Sequence, residues 1–125
     1  MSAHVQASAE SRELCDQLFA ALCQVIPKLR RSSTKGSCGL FEEGRTRFAY
    51  IYHSRVQPQI EIWCRGNVEE LQRHSRELVV IPRDHQHTGW EESFPARFRV
   101  QRADQLSSAT ALLTEVSYAA STQKS

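Results

Sequence analysis

RFAYIYH at Arg47–His53 and IEIW at Ile60–Trp63 are the stretches on which the fold turns. Both are short, rich in aromatic and β-branched residues, and alternate, which is the signature of half-buried strands. Phe48, Tyr50 and Tyr52 share one face of the first strand, and Arg47, Ala49, Ile51 and His53 share the other. In the next strand, Gln59 to Cys64, Ile60 and Ile62 stand opposite Glu61 and Trp63. Working outward, Ser37 to Phe41 is a third short strand interrupted by Gly39, and Glu42-Glu43-Gly44-Arg45 supplies the turn that follows it. Val56-Gln57-Pro58 punctuates the next connection. Three strands joined by short turns predict an antiparallel meander.

The flanks read as helices. Leu14, Leu18, Leu22, Val25, Ile26 and Leu29 recur at helical steps, with Phe19 beside them, so a helix is expected from Ser8 that ends or kinks near Pro27. Ser8 or Ser11 would cap it. Asn67 and Glu70 predict a capped short helix carrying Val68 and Leu71. The stretch Val79 to Ser93 reads mostly as loop, and Arg97 to Gln101 as a strand with Phe98 and Val100 on one side. Asp104 would cap a last helix in which Leu106, Ala109, Leu113 and Val116 form the apolar stripe. Helix, meander, short helix, loop, strand and helix predict an α+β two-layer fold with helices packed on one face of a mainly antiparallel sheet. Residues 1–125 fit a single domain, with frayed ends at about 1–7 and 121–125.

Composition narrows the function classes. The 125 residues are 40% hydrophobic and 24% charged, with a formal net charge of +2, so no global basic field is present. No apolar run approaches the ~20 residues of a membrane span, and the first residues lack a secretion-signal layout, so a cytoplasmic protein without membrane contact is expected. Cys15 and Cys23 would lie about 12 Å apart along one helix, too far for a disulfide. Both read as helix-packing residues. A Cys38–Cys64 bridge across neighbouring strands stays open, but free thiols suit a reducing compartment better.

Charge is uneven along the chain. Pro27 to Arg55 holds Lys28, Arg30, Arg31, Lys35, Arg45, Arg47 and Arg55 against only Glu42 and Glu43. This segment overlaps the aromatic meander, and arginines beside exposed aromatics grip phosphates and stack on bases. Arg30, Arg31, Lys35, Arg45, Arg47 and Arg55 are therefore the candidate nucleic-acid-binding residues, with Trp63 and Trp90 lining a groove beside them. The competing reading makes the aromatics the buried face of the sheet. A second alternative is a protein-interaction or structural subunit in which the outer aromatic face of the sheet is the surface for a protein partner or a homodimer.

Catalytic and metal signatures are weak. No C-x-x-C occurs and no cysteine falls within four residues of a histidine, so zinc-finger spacing is missing. His85 and His87, taken with His74 and His53 and with Asp84 and Glu91 to complete a set, invite a metal reading but form no established ligand motif. Cys38, flanked by glycines in a basic stretch, is the one cysteine with the surroundings of a reactive thiol, but no partner histidine can be named from sequence. A small enzyme using Cys38 or the His85/His87 loop is thus a further alternative. No P-loop, dinucleotide fingerprint or nucleophile elbow is present, and no cofactor is expected.

RFAYIYH at Arg47–His53, IEIW at Ile60–Trp63, HTGW at His87–Trp90 and FRVQRADQLSSATALLTEVSY at Phe98–Tyr118 together resemble the MmcQ/YjbR-like superfamily. Within it the chain is most similar to a domain-of-unknown-function family labelled "predicted transport protein". The resemblance covers most of the chain. It implies the two-layer fold and, in some relatives, a suggested DNA-binding role. The cysteines and Arg30–Arg31 lie outside it.

Overall fold

A computed structural model describes residues 3–34, 37–54, 57–82 and 94–122. Helix α1 (Ala3–Cys23) leads into strands β1 (Leu29–Thr34), β2 (Ser37–Glu42), β3 (Ala49–His53) and β4 (Ile60–Cys64). A short helix α2 (Val68–Arg73), strands β5 (Ile81–Pro82) and β6 (Ala96–Val100), a 3₁₀ turn (Ala103–Gln105) and helix α3 (Leu106–Thr122) follow. The six strands lie in the order β1-β2-β3-β4-β6-β5 and every pairing is antiparallel. The fold is α+β, as the sequence predicts, but the meander has four strands and the sheet six.

The added strand is β1. Its Leu29-Arg-Arg-Ser-Ser-Thr34 has no apolar alternation, because an edge strand is half solvated and needs none. It pairs with β2 from Leu29↔Glu42 to Thr34↔Ser37. The turn after β2 closes as expected, with Gly44 at φ +83° and Arg45 N–H donating to the Glu42 carbonyl at 2.9 Å.

Register fixes the two faces. Cys38, Ile51, Ile62 and Phe98 align across β2, β3, β4 and β6, as do Leu40, Ala49, Cys64 and Ala96. All are buried, in one core with Leu14, Leu18 and Leu22 of α1, Leu71 of α2, and Ala109, Leu112, Leu113 and Val116 of α3. These strand residues therefore form the helix-covered, inner face. Residues of the opposite parity, among them Phe41, Tyr50, Tyr52, Glu61, Trp63, Arg97 and Arg99, form the outer face. The expected alternation breaks at one point: Phe48 is buried in the core while Arg47 is exposed and reaches the outer face. Burying the Phe48 ring outweighs strand regularity, and β3 starts only at Ala49.

Helix boundaries differ in instructive ways. The run of helix-forming residues carries α1 back to Ala3, so Ser8 and Ser11 sit inside it rather than at its cap. Ser11 is buried, and its hydroxyl accepts from Gln59 N–H at 3.0 Å and donates to the Gln57 carbonyl at 2.9 Å, tying the β3–β4 turn to α1. At the other end Lys28, with φ +59°, turns the chain into β1. Asp104 pairs with Arg102 and does not cap. The Gln105 carboxamide accepts from Gln101 and Arg102 N–H at 2.7 and 3.1 Å instead.

Asn67 caps α2 as expected, its Oδ1 accepting from Glu69 and Glu70 N–H at 2.9 and 3.1 Å. Asn67→Ala is expected to lower stability by about 1 kcal/mol in a urea titration. A negligible change would show that packing of Leu71 alone holds this turn.

Candidate functional site

The outer face brings together arginines that sequence order separates. Arg30 stands opposite Phe41 on the β1–β2 pair. Arg47 lies across Gly39, with Nε donating to the Ser32 hydroxyl at 3.3 Å and its guanidinium 5.6 Å from the Phe41 ring centre and 6.0 Å from that of Tyr50. Gly39 is required by this seat, since a Cβ there would stand 2.7 Å from Arg47 Cδ and Nε. Arg65 donates to the Arg47 carbonyl at 2.7 Å, and its guanidinium lies 4.9 Å from the Phe94 ring, which packs edge-on against Tyr50. Trp63 pairs with Tyr52 at 4.2 Å between ring centres.

Two carboxylates among the described residues oppose these cations on this face. Glu43 pairs with Arg30 at 3.2 Å. Glu61 takes Arg99 at 3.1 Å and Arg97 at 3.8 Å, and also accepts from the Trp63 indole N–H at 2.7 Å. The helix layer carries the opposite sign: α1 holds Glu10, Glu13 and Asp16 against Arg12, and α3 holds Glu115.

The candidate residues from sequence divide accordingly. Arg30 and Arg47 are on the outer face, and Arg45 is exposed in the Gly44 turn. Arg31 is a correction. Its strand parity matches Leu40, so it points to the helix layer, where it pairs with Asp16 at 2.9 Å and lies 4.5 Å over the Phe19 ring. Lys35, Arg55 and Trp90 lie outside the described residues, as do His85 and His87; Trp63 is half-buried. Charge counted along the chain misses Arg65, Arg97 and Arg99, although alternation with Phe98 and Val100 already puts Arg97 and Arg99 on one face.

A second cluster lies on the inner face. Cys15 of α1 and Cys38 of β2 have Sγ atoms 3.5 Å apart, and a ring nitrogen of His53 at the end of β3 completes a group whose donor atoms all lie within 4.8 Å of one another. Cys15 and Cys38 are 1% and 3% exposed. Cys38 is therefore a buried strand residue rather than a thiol in a flexible surrounding. Its pKa is lowered by the hydrogen bond with Cys15 and, against the burial, by the nearby Arg31 charge. Cys15 is raised, first by its hydrogen bond with Cys38 and then by burial.

The other cysteines are plain. Cys23, expected to pack, is exposed. Cys64 is separated from Cys38 by the whole of β3, which rules out a bridge between neighbouring strands. Burial pushes the Cys64 thiol up from 9.0 to about 12. Its neutral form is thus favoured in the folded state, and the stability this contributes is complete below pH 9 and lost as pH rises towards 12. Across that window the cost is about 1.4 kcal/mol per pH unit. Cys64→Ala should remove that slope from urea midpoints measured between pH 9 and 12, and an unchanged slope would contradict it.

No family model matches the chain, and no curated protein or solved structure matches it. Among the described residues, no helix is long and apolar enough to cross a membrane.

Proposed function

We propose that the protein binds single-stranded nucleic acid, with little sequence preference, through the outer face of its sheet. The observation that carries this reading is the cation–π placement of Arg47 at 5.6 and 6.0 Å from the Phe41 and Tyr50 ring centres, and of Arg65 at 4.9 Å from that of Phe94. A guanidinium backed by a ring offers a base a flat cationic plane and offers a phosphate its N–H groups. Arg30 and Arg99 extend the cationic face from β1 to β6, four strand spacings or about 19 Å. The acidic helix layer behind it would orient an approaching polyanion. The DNA-binding role suggested for some relatives in the MmcQ/YjbR-like superfamily, which the sequence resembles, points the same way.

The test is titration of a fluorescent oligonucleotide of about ten nucleotides at two salt concentrations. Neutralising three or four phosphates of a single strand makes binding about twentyfold to fiftyfold weaker at 200 mM than at 50 mM salt. Affinity that ignores salt would instead mark an aromatic protein interface. Glu61 competes for Arg97 and Arg99, so Glu61→Gln should tighten binding, by up to about fivefold if the exposed Arg99 pair dominates. Weaker binding by Glu61→Gln would place the nucleic acid elsewhere.

A further inference from the structure

We propose that Cys15, Cys38 and His53 form a site for one thiophilic d¹⁰ cation, with zinc as the ion of choice. The three residues come from α1, β2 and β3, and only the folded chain brings their donors within 4.8 Å of one another. Two thiolates on a tetrahedral zinc, each at ~2.3 Å, stand about 3.8 Å apart. The observed 3.5 Å between the Sγ atoms is within a few tenths of an ångström of that spacing. An imidazole nitrogen as third donor gives the Cys–Cys–His set typical of zinc, with a fourth position left for water or a small ligand.

Charge fits as well. Loading releases the protons of Cys15 and Cys38, needs neutral His53, and leaves a site in which two thiolates balance the ion. The only described cation brought close to the thiols is Arg31, and Asp16 already compensates it at 2.9 Å. The main competitor is oxidation of the same two thiols to a disulfide. It would have to close the Sγ atoms from 3.5 Å to ~2.05 Å between a helix and a strand held by the same core, and it assigns no part to His53. At 1% and 3% exposure the pair is also shut to exchange with a partner thiol.

The test uses the full chain, reduced, stripped of metal with a chelator and titrated with zinc against a chromophoric indicator, then with cobalt(II). One zinc per chain is expected, and cobalt should give thiolate charge-transfer and tetrahedral ligand-field bands. Cys38→Ser and His53→Ala should each weaken zinc binding by more than about a hundredfold, above what loss of an outer-shell partner costs. Cys23→Ser, at an exposed thiol, should leave it unchanged. Should a ligand variant fail to fold, the wild-type chain still decides: zinc must raise its urea midpoint, because only the folded chain brings the three donors together. No stoichiometric zinc uptake by chain with four titratable thiols would overturn the proposal. So would an equal urea midpoint with and without zinc, or zinc binding untouched in a folded His53→Ala variant.

Discussion

The double substitution Arg47→Glu, Arg99→Glu is expected to weaken oligonucleotide binding about a hundredfold at 50 mM salt and to flatten its salt dependence. Every phosphate left without its arginine takes ~0.7 from the slope of log K against log salt, so two lower it by about 1.4. At 50 mM that slope corresponds to roughly tenfold in affinity for each phosphate. The two positions sit towards opposite ends of the face, Arg47 over Gly39 of β2 and Arg99 on β6, so their contributions should be nearly additive. Arg12→Glu makes the same change of charge on the exposed side of α1, and screening should hold its effect below about threefold. Equal weakening by Arg12→Glu and by either outer-face substitution would mean that net charge, and no particular surface, governs binding. A conservative companion sharpens the result. Gly39→Ala keeps every charge but takes the space of the Arg47 stem, so it should cost affinity while altering stability by less than about 1 kcal/mol.

The largest expected effect on stability comes from Phe98→Ala. Phe98 is 1% exposed at the centre of the inner face, paired across the sheet with Ile62 and covered by the helix layer. Truncating a buried phenylalanine costs about 3–5 kcal/mol, through forfeited transfer energy and the cavity left behind. Against a total of about 5–15 kcal/mol this is a large share, and it corresponds to a fall of about 10–20 °C in Tm. Val79→Ser, at an exposed apolar residue, should stay within about 0.5 kcal/mol. Comparable destabilisation at the two positions would contradict the placement of the core.

Much of the fold was legible because alternation and helical periodicity report burial directly. Ile60, Ile62, Phe98, Val100 and the Leu14–Leu18–Leu22 stripe all occupy the faces that their spacing assigns. The strand β1 was not legible, since an edge strand of arginine and serine carries no such pattern. Nor could alternation say which face of Arg47–His53 is covered. Ala49 and Ile51 meet the helices, while Tyr50 and Tyr52 face the other way, a choice set by the residues across the sheet.

The outer-face site was half legible for a related reason. Charge counted along the chain finds Arg30, Arg45 and Arg47, includes Arg31 wrongly, and misses Arg65, Arg97 and Arg99. Strand pairing, with β6 beside β4, groups charges in space without regard to sequence distance. The Cys15–Cys38–His53 group is the extreme case. Its members are 23 and 15 residues apart, and no local spacing rule reaches across a helix and two strands.

The central claim, that the sheet face opposite the helices is the binding surface, is tested most directly by amide NMR during titration with a short single-stranded oligonucleotide. Shifts should concentrate on Gly39, Tyr50, Arg65 and Arg99 and on the Trp63 indole N–H, leaving Arg12, Gln17 and Glu115 of the helix layer nearly still. Perturbations centred on α1 and α3, or none on β2, β3 and β6, would contradict it.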